Sequence, residues 1–415
     1  MIDSMLEKDY LTIDDVDVSG KTVLVRVDFN SPMSPDGDIL DTKRIRSHIA
    51  TMSDLSNAKV VILAHQSRAG KSDFTTMEVH AKTLGKLSGK KVDYVDDIFG
   101  SHAINAIRSM KNGDILMLEN VRFYSEESIQ RSAHEHSQTI MVKKLAPHID
   151  IFVNDAFGVS HRSHLSIVGF TQVLPSIAGR LMEKEIESLS KAGYNGNHPC
   201  IFVLGGTKVD DSFKVIQNVL ANGSADKILA TGVVANVLLS ASGLDIGKAN
   251  MDFIDSQGYM DQIGVAQGLL EQYKDKIELP TDVALSNGKD RVEISIDELP
   301  TDYPIYDIGL ETIVSYSKSI RESKVVILNG PAGLFEQPEF GLGTSEVLHA
   351  ATDSAFSIVG GGHIASALEP MGIENKISHT STGGGACISF LAGEKLPGIE
   401  ALKNYKNMAM SMTVV

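Results

Sequence analysis

Short apolar runs alternate with amphipathic stretches along this chain. Runs at 22–27, 60–64, 92–95, 115–118 and 151–153 have the length and β-branched content of buried strands. Between them, 45–55, 77–87 and 129–145 repeat apolar residues at helical spacing. The alternation resumes with strand-like runs at 201–204, 227–230, 278–279, 325–328, 356–359 and 376–378. Strand–helix alternation predicts parallel sheets covered on both faces, the α/β class. Residues 282–298 alternate polar and apolar around Asn287-Gly288, which predicts an added hairpin.

Between the halves, 176–192 reads as one amphipathic helix with Leu181, Met182, Ile186 and Leu189 on its apolar stripe. It stops at Gly193-Tyr194-Asn195-Gly196-Asn197-His198-Pro199. The expected architecture is two doubly wound parallel-sheet domains facing a cleft and joined by an interdomain helix. The expected bounds are 1–175, a helix and linker at 176–199, 200–395, and a terminal segment at 396–415. A length of 415 residues, beyond one ordinary core, agrees.

Composition narrows the partners. With 38 Lys+Arg against 53 Asp+Glu the net charge is −15, which argues against nucleic-acid or anionic-membrane binding. Any anionic ligand must find a local basic cluster. The start of the chain lacks a signal-peptide core and no run reaches membrane-spanning length, so a cytoplasmic protein is expected. The two cysteines, Cys200 and Cys387, lie in apolar segments and read as buried thiols.

Ligands of open α/β sheets bind at the carboxyl ends of the strands. In the first half those ends carry Arg26, Asp28 and Asn30, then His65 and Arg68, then Arg122, then Asn154 and Asp155 with His161 and Arg162 beyond. Guanidinium forks suit a small phosphorylated or carboxylated molecule. In the second half the ends carry glycines: Gly205-Gly206-Thr207-Lys208, Gly330-Pro331-Ala332-Gly333, Gly360-Gly361-Gly362 and Gly383-Gly384-Gly385. Bare N–H groups at a helix start, with the Lys208 ammonium beside them, make an anion site suited to a nucleotide's phosphates. The pattern GxxxxGK[ST] is absent. Several charged groups read as solvated: His164, the pair Glu126-Glu127, and Glu183-Lys184-Glu185. Gly341-Leu342-Gly343 reads as a turn, and His134-Glu135-His136 lacks a convincing metal spacing. The metal ligands are left unassigned.

Six segments together resemble the phosphoglycerate kinase family. Arg26-Val27-Asp28-Phe29-Asn30-Ser31-Pro32 is similar to RVDFNVP, and Glu119-Asn120-Val121-Arg122-Phe123 to ENxRF. Residues 153–164 resemble VNDAFGxxHRxH, and Gly205-Gly206-Thr207-Lys208-Val209 resembles GGAKV. Residues 329–336 resemble NGPxGxFE, and 381–386 match STGGGA. The segments follow family order from 22 to about 398.

The resemblance implies a phosphotransferase that moves a phosphoryl group between 1,3-bisphosphoglycerate and Mg-ADP, giving 3-phosphoglycerate and Mg-ATP by hinge closure. ATP/ADP and Mg²⁺ are the implied cofactors. A carboxylate is already nucleophilic, so no general base is required. Asp28 and Asn30 would face the glycerate, and Arg26 would support Asp28. His65, Arg68, Arg122 and Arg162 would hold the non-transferred phosphate. Arg44 and Lys208 would act on the transferring phosphoryl from opposite sides. On the nucleotide side, Gly205 and Gly206 would flank Lys208, and Glu336 would bind the ribose. Asn329 would lie near the phosphates, and Gly232 and Pro331 near the adenosine. Gly360, Gly361, Gly362, His363, Thr382, Gly383 and Gly384 would approach the phosphates. The terminal segment would return to the first domain, a subunit contact being the alternative. A monomer is expected, with a dimer as the alternative.

Four departures are similar to those of archaeal members. Ser212 stands where many members have lysine, and His363 where GGGD would place an aspartate. His65-Gln66-Ser67-Arg68 replaces HLGRP, and Thr231-Gly232-Val233 replaces three glycines. Ser212 and His363 leave open a catalytically silent nucleotide binder. A nicotinamide-dependent oxidoreductase is disfavoured, because the first βα turn lacks GxGxxG.

Overall fold

The structure is a computed structural model describing residues 8–192, 197–288 and 290–413. The first seven residues, most of the 193–199 stop signal and the last two residues of the terminal segment lie outside the described residues. The strands are β1 (Thr22–Arg26), β2 (Lys59–Leu63), β3 (Val92–Tyr94), β4 (Ile115–Met117), β5 (Ile151–Asn154), β6 (Ser176–Ala178), β7 (Cys200–Leu204), β8 (Lys227–Ala230), β9 (Ile277–Glu278), β10 (Asp282–Ser286), β11 (Arg291–Ser295), β12 (Ile305–Ile308), β13 (Val325–Asn329), β14 (Phe356–Gly360) and β15 (His379–Thr380). They form two six-stranded parallel sheets, ordered β3-β4-β2-β1-β5-β6 and β15-β14-β13-β7-β8-β9. The expected hairpin is present, and β12 adds a third strand to make the antiparallel sheet β11-β10-β12.

The chain divides into two compact units. The first runs up to Ile186 and takes in the chain from Lys395 onward; the second spans Glu187–Glu394. Apolar alternation along β1 explains the first core. Val23 and Val25 face one layer with Ile45, Met52 and Leu84, while Leu24 faces the other with Phe152, Leu165 and Phe170. The terminal helix Pro397–Thr413 returns to this unit, where Ala401 packs on Ala156, Val159 and Ile167.

Register aligns the strand ends. Arg26 sits beside both Leu63 and Asn154. In the second sheet Leu204 sits beside Ala230 and Asn329, and Asn329 beside Gly360. The residues one step further on therefore emerge side by side in each unit.

Four local expectations are corrected. Residues 176–178 pair in parallel with β5 as β6, so the helix is only Arg180–Ser190. The stretch 129–145 breaks into Ala133–Ser137 and Ile140–Leu145, because Ser132 and Thr139 each start a new helix. The strand expected at 376–378 lies at β15, preceded by a 3₁₀ turn, Glu374–Lys376. Gly341-Leu342-Gly343 opens the helix Leu342–Thr352.

Asp155 explains why the helix starts at Arg180. One of its buried carboxylate oxygens accepts from the Leu181 and Met182 amides at 2.9 and 3.2 Å. The Thr51 hydroxyl accepts from the Arg180 amide at 2.9 Å and donates to Asp155 at 2.8 Å. Three amides at the helix start are thus satisfied by side chains. Gly179 has to be glycine, since an added Cβ would lie 2.2 Å from the Asp155 carboxylate. The second carboxylate oxygen takes the His48 Nδ1 proton at 2.7 Å, while His48 Nε2 accepts from the Asp28 amide at 3.2 Å. Asp155→Ala should therefore destabilise the protein by about 3 kcal/mol, combining a lost cap with an unpaired buried imidazole. Urea denaturation checks this, and an unchanged midpoint would show that water replaces the carboxylate.

Candidate phosphate-binding sites

Arg26 shares the parity of Leu24, so its side chain enters the layer covered by the helix Leu165–Val168. It is 1% exposed. A guanidinium so buried must have every donor met. Its Nε donates to Ser166 Oγ at 2.6 Å, one Nη donates to the Val27 carbonyl, and Nη2 lies 3.2 Å from His65 Nδ1 and 4.0 Å from Glu127. Glu127 is fully buried and accepts from the Ser166 amide and hydroxyl at 2.9 and 2.7 Å. Burial pushes its carboxyl up, and Arg26 with Ser166 opposes that shift. The expectation of a solvated Glu126-Glu127 pair thus fails at Glu127. Glu183 and Glu185 are buried as well; Glu183 pairs with Lys8 and Arg180. Adjacent charges in the sequence carry no sign of which one turns inward.

The remaining candidates gather around Arg26. Asp28 pairs with Arg44 and lies 3.9 Å from His65. Asn30 donates its amide to Asp28 at 3.3 Å, and its side-chain oxygen accepts from the Ser67 amide at 2.6 Å. Arg122 rides on a 3₁₀ turn, Val121–Phe123, capped by Asn120, whose amide group also donates to the Gln66 carbonyl at 2.9 Å. One Arg122 Nη donates to the Ser67 carbonyl, and its Nε is buried with no partner. Arg162 Nε contacts His161 at 3.1 Å. Arg68 is exposed on the turn after Ser67.

Electrostatics marks the place as a cation cluster. Burial comes first in lowering the Arg122 guanidinium to about 10, followed by Arg26 and Arg162. His65 lies well below its ordinary value because of burial and then Arg26, Arg122 and Arg44. His164, expected to be solvated, is buried, and burial with Arg122, Arg26 and Arg162 lowers it to about 3. Asp28 faces Arg44 and Glu127 faces Arg26, so with both imidazoles neutral it is Arg122 and Arg162 that leave a local positive charge for an anionic ligand to offset. Sequence spacing missed Ser166 and Glu127; a serine in a helix of four residues and a glutamate in a turn carry no period that would reveal them.

In the second unit, Lys208 is exposed just before the helix Val209–Ala221. The glycines divide into two groups. Gly205, Gly206 and Gly232 donate their amides to Asn329, Pro331 and Ala332 carbonyls at 2.9, 2.8 and 3.0 Å. Their N–H groups are consumed by loop–loop contact, so the expected bare donors are absent there. A Cβ on Gly205 would fall 2.5 Å from the Pro331 carbonyl, and one on Gly232 would fall 2.7 Å from the Gly206 amide. Gly383 also donates to its neighbour Ser381, at 3.1 Å. Gly362 and Gly384 have open space beside them. Asn329 approaches both Gly360 and Gly361, and Thr382 follows β15. Glu336 and His363 pair with each other, with the Phe335 ring 5.0 Å from the imidazole. Ser212 is buried in the helix after Lys208. Among the described residues no group of three or more His, Cys, Asp or Glu could hold a metal ion, and no helix is long and apolar enough to cross a membrane.

A family model described as phosphoglycerate kinase matches residues 13–394. Phosphoglycerate kinase of Methanosarcina mazei is 63% identical over 404 residues, covering 97% of both chains. Phosphoglycerate kinase of Archaeoglobus fulgidus is 50% identical over 394 residues, covering 95% of this chain and 96% of that one. The crystal structure of phosphoglycerate kinase from Pyrococcus horikoshii superposes with a TM-score of 0.89 at 42% identity, covering 96% of this chain and 99% of that one.

The depressed histidines set a pH dependence. Below 6.5 the unfolded chain takes up a proton on His164 that the folded chain refuses until about 3. This stability contribution is present above pH 6.5 and is lost as pH falls toward 3. At pH 5 the loss is about 2 kcal/mol for that histidine, and His65 adds a loss of the same sign. Urea denaturation from pH 7.5 to 5 should show a falling midpoint, flattened in His164→Gln. An equal slope in that variant would place the titration elsewhere.

Proposed function

The chain belongs to the phosphoglycerate kinase family and is a phosphotransferase, and from that premise we propose that it transfers a phosphoryl group reversibly between 1,3-bisphosphoglycerate and Mg-ADP in glycolysis and gluconeogenesis. In the ATP-consuming direction, a carboxylate oxygen of 3-phosphoglycerate attacks the γ-phosphorus. The new O–P bond forms as the bond to the β–γ bridging oxygen breaks, and ADP departs with that electron pair. No proton need be removed from a carboxylate, so the reaction asks for position and charge neutralisation.

The observation that carries this reading is the cation cluster at the ends of β1, β2, β4 and β5. Arg26, Asp28, Asn30, His65, Arg68, Arg122 and Arg162 are assigned to 3-phosphoglycerate. The unpartnered Arg122 Nε supports a phosphate ligand, because guanidinium forks bind such groups through adjacent donors. Arg44, held by Asp28, and Lys208 are assigned to the transferring phosphoryl. Arg44 belongs to the first unit and Lys208 to the second, so transfer is proposed to occur with the units closed by hinge motion.

The nucleotide is assigned to Lys208, Asn329, Pro331, Glu336, His363, Thr382 and the glycine row at 205–206, 232, 360–362 and 383–384. Open space beside Gly362 and Gly384 supports close approach of phosphates there, whereas Gly205, Gly206 and Gly232 serve by shaping the loops. Magnesium, which keeps several of its waters, would arrive on the nucleotide's phosphates and neutralise their charge. Activity as a monomer in the cytoplasm completes the reading.

A coupled assay with 3-phosphoglycerate and ATP, with and without Mg²⁺, tests the proposal. Magnesium-dependent turnover is expected, and nucleotide binding without turnover would favour a silent paralogue. Arg44→Ala should lower kcat about 100-fold, as loss of a transition-state charge contact does, with a much smaller rise in KM for 3-phosphoglycerate. A raised KM at unchanged kcat would remove Arg44 from the transition state.

A further inference from the structure

Ser67 has φ +55°, and among the described residues it is the only non-glycine with positive φ. A serine holds that conformation only where its surroundings over-determine it. Here each of its polar groups is engaged. The amide donates to Asn30 Oδ1 at 2.6 Å, the hydroxyl donates to Asp73 Oδ1 at 2.6 Å, and the carbonyl accepts from Arg122. Ser67 therefore joins two of the residues assigned to substrate.

Asp73 is the outside hold on this turn. Its other oxygen lies 3.5 Å from Gln66 Nε2. Gln66 is fully buried and locked by both the amide and the carbonyl of Ser31, each at 3.0 Å, and by His80 at 3.0 Å. The segment carrying Asp73 is in turn pinned on both sides of Arg122. The Thr75 carbonyl accepts from Asn120 at 2.8 Å, and Phe74 meets Phe123 edge-on with centroids 5.0 Å apart. The contacts close a ring from Asp73 to Ser67, to Arg122, to Phe123 and back through Phe74.

We propose that Asp73 and Ser67 are positioning residues for the phosphorylated substrate. Asp73 holds Ser67 in its left-handed conformation, and the Ser67 carbonyl and amide aim Arg122 and Asn30. With one Nη anchored on that carbonyl, Arg122 keeps its Nε and remaining Nη free for an anion. The proposal rests on the reading of 3-phosphoglycerate as substrate.

The test compares KM values and direct binding in the full-length protein. Asp73→Ala should raise KM for 3-phosphoglycerate about tenfold, as loss of a hydrogen bond to a charged group does, while KM for Mg-ATP stays within about twofold. Asp73→Asn keeps an acceptor oxygen and should restore most of the loss. In a Ser67→Gly background, where no hydroxyl remains to be held, Asp73→Ala should add nothing. Equal rises in both KM values, or independent effects in the double variant, would overturn the proposal by marking the ring as structural only. Calorimetry with 3-phosphoglycerate separates the two readings. No binding by the unmodified protein overturns the substrate reading and this inference with it. Binding that Asp73→Ala leaves unchanged overturns the inference alone.

Discussion

A full positive charge is buried at the carboxyl end of β1, and the first unit is arranged around it. Arg26 enters the layer beneath the helix Leu165–Val168 because the alternation of the strand sends it there. Leaving that charge unpaired would cost several kcal/mol, so partners must come from elsewhere in the chain. Glu127 and Ser166 meet it from one side and His65 from another. Each is thereby fixed relative to β1. The pair is no large source of net stability, since burial works against both Arg26 and Glu127. Its structural consequence is placement: the segment after β4, the end of β2 and the loop after β5 converge on one point.

That convergence concentrates cations where the strands end. His65 and His164 are held neutral by burial and by surrounding arginines, so the charge of the place is carried by guanidinium groups. A buried carboxylate performs a related task on the opposite side of β1. Asp155 caps the helix Arg180–Ser190 and, through His48, holds the Asp28 amide. The backbone that presents Asp28 is thus tied to the helix whose sequence crosses from the first unit into the second.

The second unit uses its six-stranded parallel sheet, which has a different strand order, in another way. Its aligned strand ends carry backbone where the first unit carries side chains. Gly205, Gly206 and Gly232 allow three loops to touch at amide-to-carbonyl distance. Gly362 and Gly384, beyond β14 and β15, keep open space beside them. Two six-stranded parallel sheets of different strand order thus carry a rim of long basic side chains in one unit and a nearly bare backbone rim in the other.

Much of this was legible in the residues alone. Periodicity reports which side of a strand or helix faces a core, so the parallel strands, the added hairpin and the strand ends carrying Arg26, His65 and Arg122 could be read from the order of residues. The family followed from motifs whose residues lie close together in the chain. Loops carry no period, and there the reading failed. Glu127 and His164 looked solvated yet are buried, since the residues the fold sets beside them, Arg26 by Glu127 and Arg122 by His164, are distant in sequence. The glycine amides at 205–206 looked free, but Asn329 and Pro331 occupy them. Ser67 gave no sign of its left-handed backbone, which depends on Asp73, Asn30 and Arg122 acting together. Local pattern determined the elements and the chemistry at their ends. Tertiary structure alone decided which polar groups are satisfied, because a buried charge or amide takes its partner from whichever segment the fold brings within hydrogen-bond reach.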